Sequence, residues 1–151
     1  MPGAAAQLRR LKRAGFFLVL VTNQSGVGRG LLTLDALEEI HRRMQAALGR
    51  NAFDAIYACP HHPQTGCPCR KPSPQMILRA CSDHGLDAAA SFMVGDSVRD
   101  IAMGRAAGCR TVFRGTAAHG ADHAATTLRG AVDWILRRRR GAGGRSRRRR
   151  G

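Results

Sequence analysis

Three cysteines and one histidine lie within a short stretch of this chain, in the order Cys59, His61, Cys67 and Cys69. Thiolate sulfur and imidazole nitrogen are the usual ligands of structural zinc, which takes four of them in a tetrahedron. The prolines between these residues restrict the loop before any metal binds. We therefore predict a closed, structural Zn2+ site, with His62 as the competing ligand to His61. The alternative is a stiff loop of unliganded cysteines.

Two basic residues, Arg70 and Lys71, follow the last cysteine directly. A lysine ammonium can neutralise the charge of a phosphoryl group. An arginine guanidinium can hold a second anionic group through two hydrogen bonds. Either residue taken alone is more often a surface charge. Beside a loop that a metal fixes, the pair predicts a site for a phosphate-bearing substrate.

The polar residues Thr22, Asn23, Gln24 and Ser25 follow an apolar run at residues 16–21. A continuous apolar run of this length predicts a strand buried on both faces. The hydroxyl and amide groups at its end can donate hydrogen bonds to a phosphate oxygen. An ordinary turn is the simpler interpretation of these four residues taken alone.

Asp96 ends a second apolar run, at residues 91–96. A carboxylate at the end of a buried strand suits a hard cation such as Mg2+. Ser97 follows directly, and Asp100 lies one helical turn further on. Asp100 could orient the site, or it could be a charge favoured by the first turn of the next helix. The sequence leaves both roles open.

These residues need a scaffold in which strands and helices alternate. Strands are predicted at residues 16–21, 55–58, 91–96 and 111–113, with a further short strand at 131–136, and helices at 4–14, 34–48, 73–84 and 98–107. Such alternation is typical of an α/β fold with a parallel sheet. Ligands bind at the carboxyl ends of the strands in these sheets, which is where all three polar clusters fall.

The chain of 151 residues has a formal net charge of +15, and nine of its arginines lie in residues 137–151. We predict one domain at residues 1–136 and a disordered tail at 137–151, because the Arg- and Gly-rich segment has almost no apolar surface to bury. The tail could bind a polyanion weakly or have no partner. No apolar run approaches the roughly 20 residues that span a bilayer. We expect a cytoplasmic monomer that does not enter a membrane.

Four segments, VTNQSGVGRG, CPHHP, CPCRKP and MVGDSVRDI, resemble motifs of the haloacid dehalogenase (HAD) superfamily in their residue pattern and in their order along the chain. Within it they are most similar to the bacterial D,D-heptose 1,7-bisphosphate phosphatases, with histidinol-phosphate phosphatases as near relatives. The resemblance covers residues 3–136. It implies a HAD-like Rossmannoid three-layer sandwich without a large cap, and Mg2+-dependent hydrolysis of a sugar-phosphate monoester.

The resemblance also implies a role for each cluster. Thr22 would bind the transferring phosphoryl group, with Asn23, Gln24 and Ser25 holding substrate; Lys71 would neutralise phosphate charge, and Arg70 would contact the sugar phosphate. Asp96 would bind Mg2+, with Ser97 and Asp100 around it, and Cys59, His61, Cys67 and Cys69 would bind zinc.

The sequence departs from the family in one respect. The first strand of the family carries D-x-D-G-T, whose first Asp attacks phosphorus and whose second Asp protonates the leaving oxygen, and no D-x-D occurs here. In the family fold that strand is central, between the strands that end at Thr22 and Asp96. We therefore expect an incomplete sheet, little or no activity from this chain, and an N-terminally truncated product of its gene.

Three functions stay open at this point. For the complete product we expect hydrolysis of D-glycero-D-manno-heptose 1,7-bisphosphate to the monophosphate, and histidinol phosphate is the alternative substrate. A non-catalytic zinc protein with a polyanion-binding tail is the alternative from another class.

Overall fold

The computed structural model describes residues 3–49 and 51–143, in which strands and helices alternate. The strands are β1 (Val19–Asn23), β2 (Ala55–Cys59), β3 (Phe92–Gly95), β4 (Arg110–Arg114) and β5 (His123–Ala125). The helices are α1 (Ala4–Arg13), α2 (Ser25–Gly28), α3 (Leu34–Leu48), α4 (Gln75–His84), α5 (Val98–Ala106) and α6 (Leu128–Gly143). The predicted α/β class is confirmed. No helix in the described ranges is both long enough and apolar enough to cross a bilayer.

The five strands form two parallel sheets, β1–β2 and β3–β4–β5. Among the described residues, no ladder of backbone hydrogen bonds joins β1 to β3. Leu18 O and Gln24 N both bond to the β2 side. Since alternate residues of a strand bond to opposite neighbours, the backbone groups of Val19, Val21 and Asn23 face away from β2. The sheet is therefore incomplete between β1 and β3, as the sequence predicts.

Helices cover both faces of the sheets and give the predicted three layers. On one face, Leu11 of α1 and four buried residues of α6 pack with Val112, Phe92 and Val94. On the other face, Met76 and Ile77 of α4 and Met103 of α5 pack with Met93, Val21, Tyr57 and Cys59. The second core contains residues of both sheets, so this helix layer holds the two sheets together.

The C-terminal helix corrects one expectation and extends past a predicted boundary. Residues 131–136, predicted as a strand, lie within α6, where Ala131, Val132, Trp134 and Ile135 are buried at helical spacing. The helix continues to Gly143, so the predicted domain boundary after residue 136 falls inside it, and residues 137–143 are helical. Residues 144–151, the rest of the predicted tail, lie outside the described residues. The short elements α2 and β5 were not predicted.

Candidate active site and metal centre

The carboxyl ends of three strands bring the predicted polar clusters to one edge of the sheets. Thr22 and Asn23 end β1, Cys59 ends β2, and Asp96 follows the last residue of β3. The strands are parallel within each sheet, and Lys71 contacts both Val21 of β1 and Asp100 soon after β3, so these ends lie on the same side of the molecule. The topology thus places the polar residues that end β1 and β2 on one sheet and Asp96 on the other, on either side of the open edge.

Lys71 connects the end of β1 to the helix that follows β3. Its Nζ lies 2.7 Å from Asp100 Oδ1 and also donates to the Val21 carbonyl oxygen at 3.3 Å. The two side chains of this ion pair are only 17% and 7% exposed. The Lys71 backbone N–H donates to Asn23 Oδ1 at 3.1 Å. The ammonium is therefore held in a fixed place at the carboxyl end of β1, and it satisfies a carbonyl on the open edge.

Asp100 combines both roles that the sequence left open. Besides the Lys71 pair, its Oδ2 accepts the Ser97 N–H at 3.2 Å and completes the capping box of α5, in which Ser97 Oγ accepts the Arg99 N–H. Gly95 is the residue that makes room for this carboxylate. A Cβ at Gly95 would lie 2.2 Å from the Asp100 Cβ. Ser97 and Asp100 thus form the start of α5 beside Lys71. The sequence did not indicate that position 95 requires a glycine.

Asp96 lies next to these residues but pairs with a different cation. Its carboxylate is 61% exposed, and its Oδ2 lies 2.5 Å from Arg114 Nη2. Arg114 ends β4, the neighbour of β3 in the sheet. Sequence reasoning did not single out Arg114, although a polar residue at the end of a buried strand was the signal used for the other clusters. Asp96 is accessible from solvent, so a cation could compete with Arg114 for it.

The segment after β1 is ordered by its own polar groups. Thr22 Oγ1 accepts a hydrogen bond from Gln24 Nε2 at 3.1 Å, and Asn23 Oδ1 accepts the Lys71 N–H. Ser25 begins the short helix α2 where the sequence predicted a loop. Asn23 therefore contacts Lys71 directly, whereas no hydrogen bond in the described residues joins the Thr22 or Ser25 side chain to this lysine.

Arg70 carries a buried nitrogen without a partner. Its Nη1 is inaccessible to solvent and makes no hydrogen bond among the described residues. A buried donor that stays unsatisfied costs about 1–3 kcal/mol, and more when the group is charged. Such a cost is recovered when an anion accepts the bond, which agrees with the predicted contact between Arg70 and an anionic group of a substrate.

The four predicted zinc ligands converge at the end of β2, and their ligand atoms all lie within 4.8 Å of one another. The Cys59 Sγ–Cys67 Sγ and Cys67 Sγ–Cys69 Sγ distances are 3.4 and 3.8 Å. His61 Nδ1 lies 3.7 Å from Cys59 Sγ and 3.2 Å from Cys69 Sγ. Around tetrahedral zinc, two sulfurs are separated by about 3.8 Å and a sulfur and a nitrogen by about 3.6 Å. The cluster therefore has the dimensions of a zinc site.

The thiols of the cluster differ in their readiness to ionise. Burial opposes ionisation of the Cys67 thiol, but hydrogen bonds from Cys59 and Cys69 outweigh burial and lower the Cys67 pKa to about 7. Burial and the two neighbouring cysteines raise the Cys69 pKa to about 12. Three thiolates packed this closely repel one another unless a cation lies among them, so the donor set fits a bound metal ion.

His62, the alternative zinc ligand to His61, caps a turn instead. Its Nδ1 accepts the Gln64 N–H at 3.2 Å and caps the 3-10 turn Pro63–Thr65. His61, and not His62, therefore faces the cysteines.

The cysteine loop packs directly on α2 through Gly28. A Cβ at Gly28 would lie 2.2 Å from His62 N and 2.8 Å from Pro60 O. These are backbone atoms, which cannot move aside as a flexible side chain can. The segment after β1 and the cysteine loop are thus in close contact, and that contact was not evident from the sequence.

Comparison with known proteins agrees with this arrangement. A family model described as HAD-hydrolase-like matches residues 68–137. A D-glycero-beta-D-manno-heptose-1,7-bisphosphate 7-phosphatase of Yersinia pestis is 39% identical over 145 residues, which cover 89% of this chain and 74% of the relative. The chain belongs to the HAD-like hydrolase family.

A second member of the HAD-like family, the Bordetella bronchiseptica enzyme of the same name, is 42% identical over 111 residues. That match covers 72% of this chain but only 62% of the relative. The crystal structure of D,D-heptose 1,7-bisphosphate phosphatase from B. bronchiseptica, complexed with magnesium and phosphate, has a TM-score of 0.81 and 33% identity, over 91% of this chain and 84% of that one. The family resemblance and the three-layer fold are confirmed.

Proposed function

We propose that this chain carries the phosphate- and metal-binding residues of a HAD phosphatase that acts on D-glycero-D-manno-heptose 1,7-bisphosphate and releases its 7-phosphate. Relatives with 39% and 42% identity bear that activity in their names, and a structural neighbour holds magnesium and phosphate. These names favour the heptose substrate over histidinol phosphate. The structural observation that carries the proposal is the largely buried Lys71 ammonium, fixed between the Val21 carbonyl and Asp100, where a phosphoryl group would lie.

The groups around Lys71 suit a phosphate dianion. The Lys71 ammonium would neutralise charge on the transferring phosphoryl group, and the Thr22 hydroxyl would donate a hydrogen bond to one of its oxygens. Arg70 has a buried donor free of protein partners among the described residues, and it would hold the second phosphate of a bisphosphate. A substrate with two anionic ends fits this pair of cations better than a substrate with one.

Asp96 is the residue that would hold Mg2+, because it is the exposed carboxylate at the end of β3. The cation, when bound, supplies positive charge that offsets the charge developing on the phosphoryl oxygens. Arg114 occupies Asp96 Oδ2, so it competes with Mg2+ for the charge and the oxygens of this carboxylate. Replacing Arg114 by Met should consequently strengthen Mg2+ binding, which titration calorimetry would measure.

The nucleophile is the part that this sequence does not supply. No D-x-D occurs in it, and HAD enzymes form their aspartyl-phosphate on the first Asp of that motif. We therefore expect the chain by itself to bind phosphate esters without detectable turnover.

The test is to fuse a segment with the D-x-D-G-T motif ahead of Met1 and to measure phosphate release with Mg2+. We expect phosphate release from heptose 1,7-bisphosphate and loss of release when the first Asp of the motif is changed to Asn. Lys71→Met should lower the rate by at least about 100-fold, since electrostatic stabilisation of this kind is worth about 10²–10³ in rate. A folded fusion that binds Mg2+ and releases phosphate from no sugar phosphate would contradict the proposal. Preference for histidinol phosphate would correct the substrate.

We further propose that Cys59, His61, Cys67 and Cys69 bind a structural Zn2+. The four ligand atoms are close enough for tetrahedral coordination, and with all four positions taken no site stays open for catalysis. Mass spectrometry of the intact protein should find one zinc per chain. Cys67→Ser should lose it, whereas Cys81→Ser, which changes a cysteine outside the cluster, should keep it. Equal zinc content in the two variants would rule the site out.

A further inference from the structure

Helices α1 and α6 lie side by side and form a strongly basic surface. Their sequences contain nine lysines and arginines but a single acidic residue, Asp133. That carboxylate pairs with Arg10 at 2.6 Å and lies 4.0 Å from Arg129. One carboxylate cannot neutralise so many cations, so the surface has a large excess of positive charge.

A cleft of about 560 Å³ opens between the two helices, and it is lined by Arg10, Arg13, Ala14, Leu136 and Arg139. A smaller cleft beside it includes Arg137. Among the described residues, Arg13, Arg137 and Arg139 form no ion pair within 4.0 Å. We call this region the arginine cleft. Its guanidinium groups are accessible to an anion from solvent.

Aromatic rings hold Arg139 of the cleft and two further arginines, Arg138 and Arg110, in place. The pairs are Arg138 over Trp134 at 4.8 Å, Arg139 over Phe16 at 4.9 Å and Arg110 over Phe92 at 5.8 Å. A guanidinium that stacks on a ring keeps its N–H edge free to bind a phosphate while its side chain is already ordered. Binding of an anion there costs less conformational entropy than binding to unrestrained arginines.

The arginine cleft lies at the edge opposite the candidate active site. Ala14 of the cleft and Phe16, on which Arg139 packs, lie just before the start of β1, whereas Asn23 and Cys59 end β1 and β2. In parallel sheets these are opposite edges. An anion in the cleft therefore would not compete with a substrate near Lys71.

The chemistry of this surface favours a nucleic acid over a membrane. A membrane-binding surface combines basic with exposed apolar side chains. The large hydrophobic residues exposed in the described chain all lie outside α1 and α6: Phe17, Leu31, Leu34, Ile40, Leu78 and Val98. Trp134 is 9% exposed and is covered by Arg138 and stacked against His123, so it is not available to a base.

We propose that the arginine cleft between α1 and α6 binds the phosphate backbone of a nucleic acid without recognising its bases. This inference is independent of the proposed phosphatase function, because it uses a different edge of the fold. It also differs from binding by a disordered tail, since the arginines belong to ordered helices.

The test is fluorescence anisotropy of the full chain with a labelled 20-nucleotide oligo-dT and a mixed-sequence strand of the same length, between 50 and 300 mM salt. The variant Arg13→Glu/Arg137→Glu changes exposed arginines of the clefts. The matched control, Arg42→Glu/Arg43→Glu, makes the same change of charge on α3, where both arginines are exposed and, among the described residues, form ion pairs only with Glu39. Circular dichroism checks folding, and Arg13→Gln/Arg137→Gln replaces the first variant if that variant unfolds.

We expect similar affinity for the two strands. The cleft variant should lose at least about tenfold in affinity, and the control should change less. The salt slope of the cleft variant should fall by about 1.4, since two contacts are lost and each phosphate contact on a single strand contributes about 0.7. Absence of binding at 50 mM salt, or equal losses in the cleft variant and the control, would overturn the proposal. So would tighter binding to phosphatidylserine vesicles than to the oligonucleotides, with the same sensitivity to the cleft variant.

Discussion

The Lys71–Asp100 ion pair should make a large contribution to stability, and Lys71→Met tests this. Exposed ion pairs contribute about 0–1 kcal/mol, whereas removal of one partner from a buried pair costs about 3–5 kcal/mol. These side chains are 17% and 7% exposed, and Lys71 also satisfies the Val21 carbonyl. We therefore expect Lys71→Met to lower the free energy of unfolding by about 3 kcal/mol, and the melting temperature by roughly 6–12 °C.

Urea denaturation at pH 7 measures this loss, and a double-mutant cycle shows whether it arises from the pair. Asp100→Asn keeps the size of the side chain beside Gly95 and removes its charge. In the double variant neither charge is left unpaired, so the loss should be smaller than the sum of the single losses by at least about 1.5 kcal/mol. Arg79→Met, which breaks the exposed pair with Asp83, should cost less than about 0.5 kcal/mol.

The reasoning is refuted if Lys71→Met costs less than about 1 kcal/mol, or if the losses of the two single variants simply add. Either result would mean that solvent screens this pair as it screens a surface pair, and that Lys71 does not hold the two sheets together.

Two other predictions follow from local packing and charge. Gly28→Ala should destabilise the protein by about 1–3 kcal/mol in urea denaturation, because the new Cβ meets backbone atoms of the cysteine loop; Gly26→Ala, whose Cβ would meet only Leu32 at 3.7 Å, should be tolerated, and equal losses would contradict the packing. Hydrogen bonds from Thr111 lower the pKa of Asp122. The ionised Asp122 carboxylate therefore stabilises the protein fully above the unfolded pKa of about 3.9, and this stabilisation is lost as pH falls further through the folded pKa. The difference in unfolding free energy between wild type and Asp122→Asn should be constant from pH 5 to 7 and should shrink below pH 4. A difference that grows on acidification would reverse the sign of this argument.

The local patterns were sufficient for most of the strands and for the cluster of three cysteines and His61. Apolar runs that end in polar residues predicted β1 and β3, and close spacing of soft ligands predicted the cluster at the end of β2. Both signals lie within a few residues of the chain. The pairing of Asp96 with Arg114 could not be predicted in this way, because it depends on β4 lying next to β3.

The error at α6 has a physical cause. A short apolar run such as residues 131–136 fits a strand or a buried helix equally well by periodicity. The arginines that follow predict disorder, since they have no apolar surface of their own. In the folded chain they obtain it from elsewhere: Arg138 packs on Trp134, one turn away, and Arg139 packs on Phe16, which is distant in sequence. Arginine is also a good helix former, so the helix continues.

The open edge between β1 and β3 gives Lys71 two functions that affect each other. As a structural residue it joins the Val21 carbonyl of β1 to Asp100 in α5, the helix that follows β3 of the other sheet. In the proposed function it would also turn part of its charge towards a phosphate. Lys71 follows closely after Cys69, so a metal in the cluster would restrict the backbone that carries it. Removal of zinc by a chelator should then lower both the free energy of unfolding and the affinity for inorganic phosphate, whereas a cluster with a merely local function would change the first and leave the second unaltered.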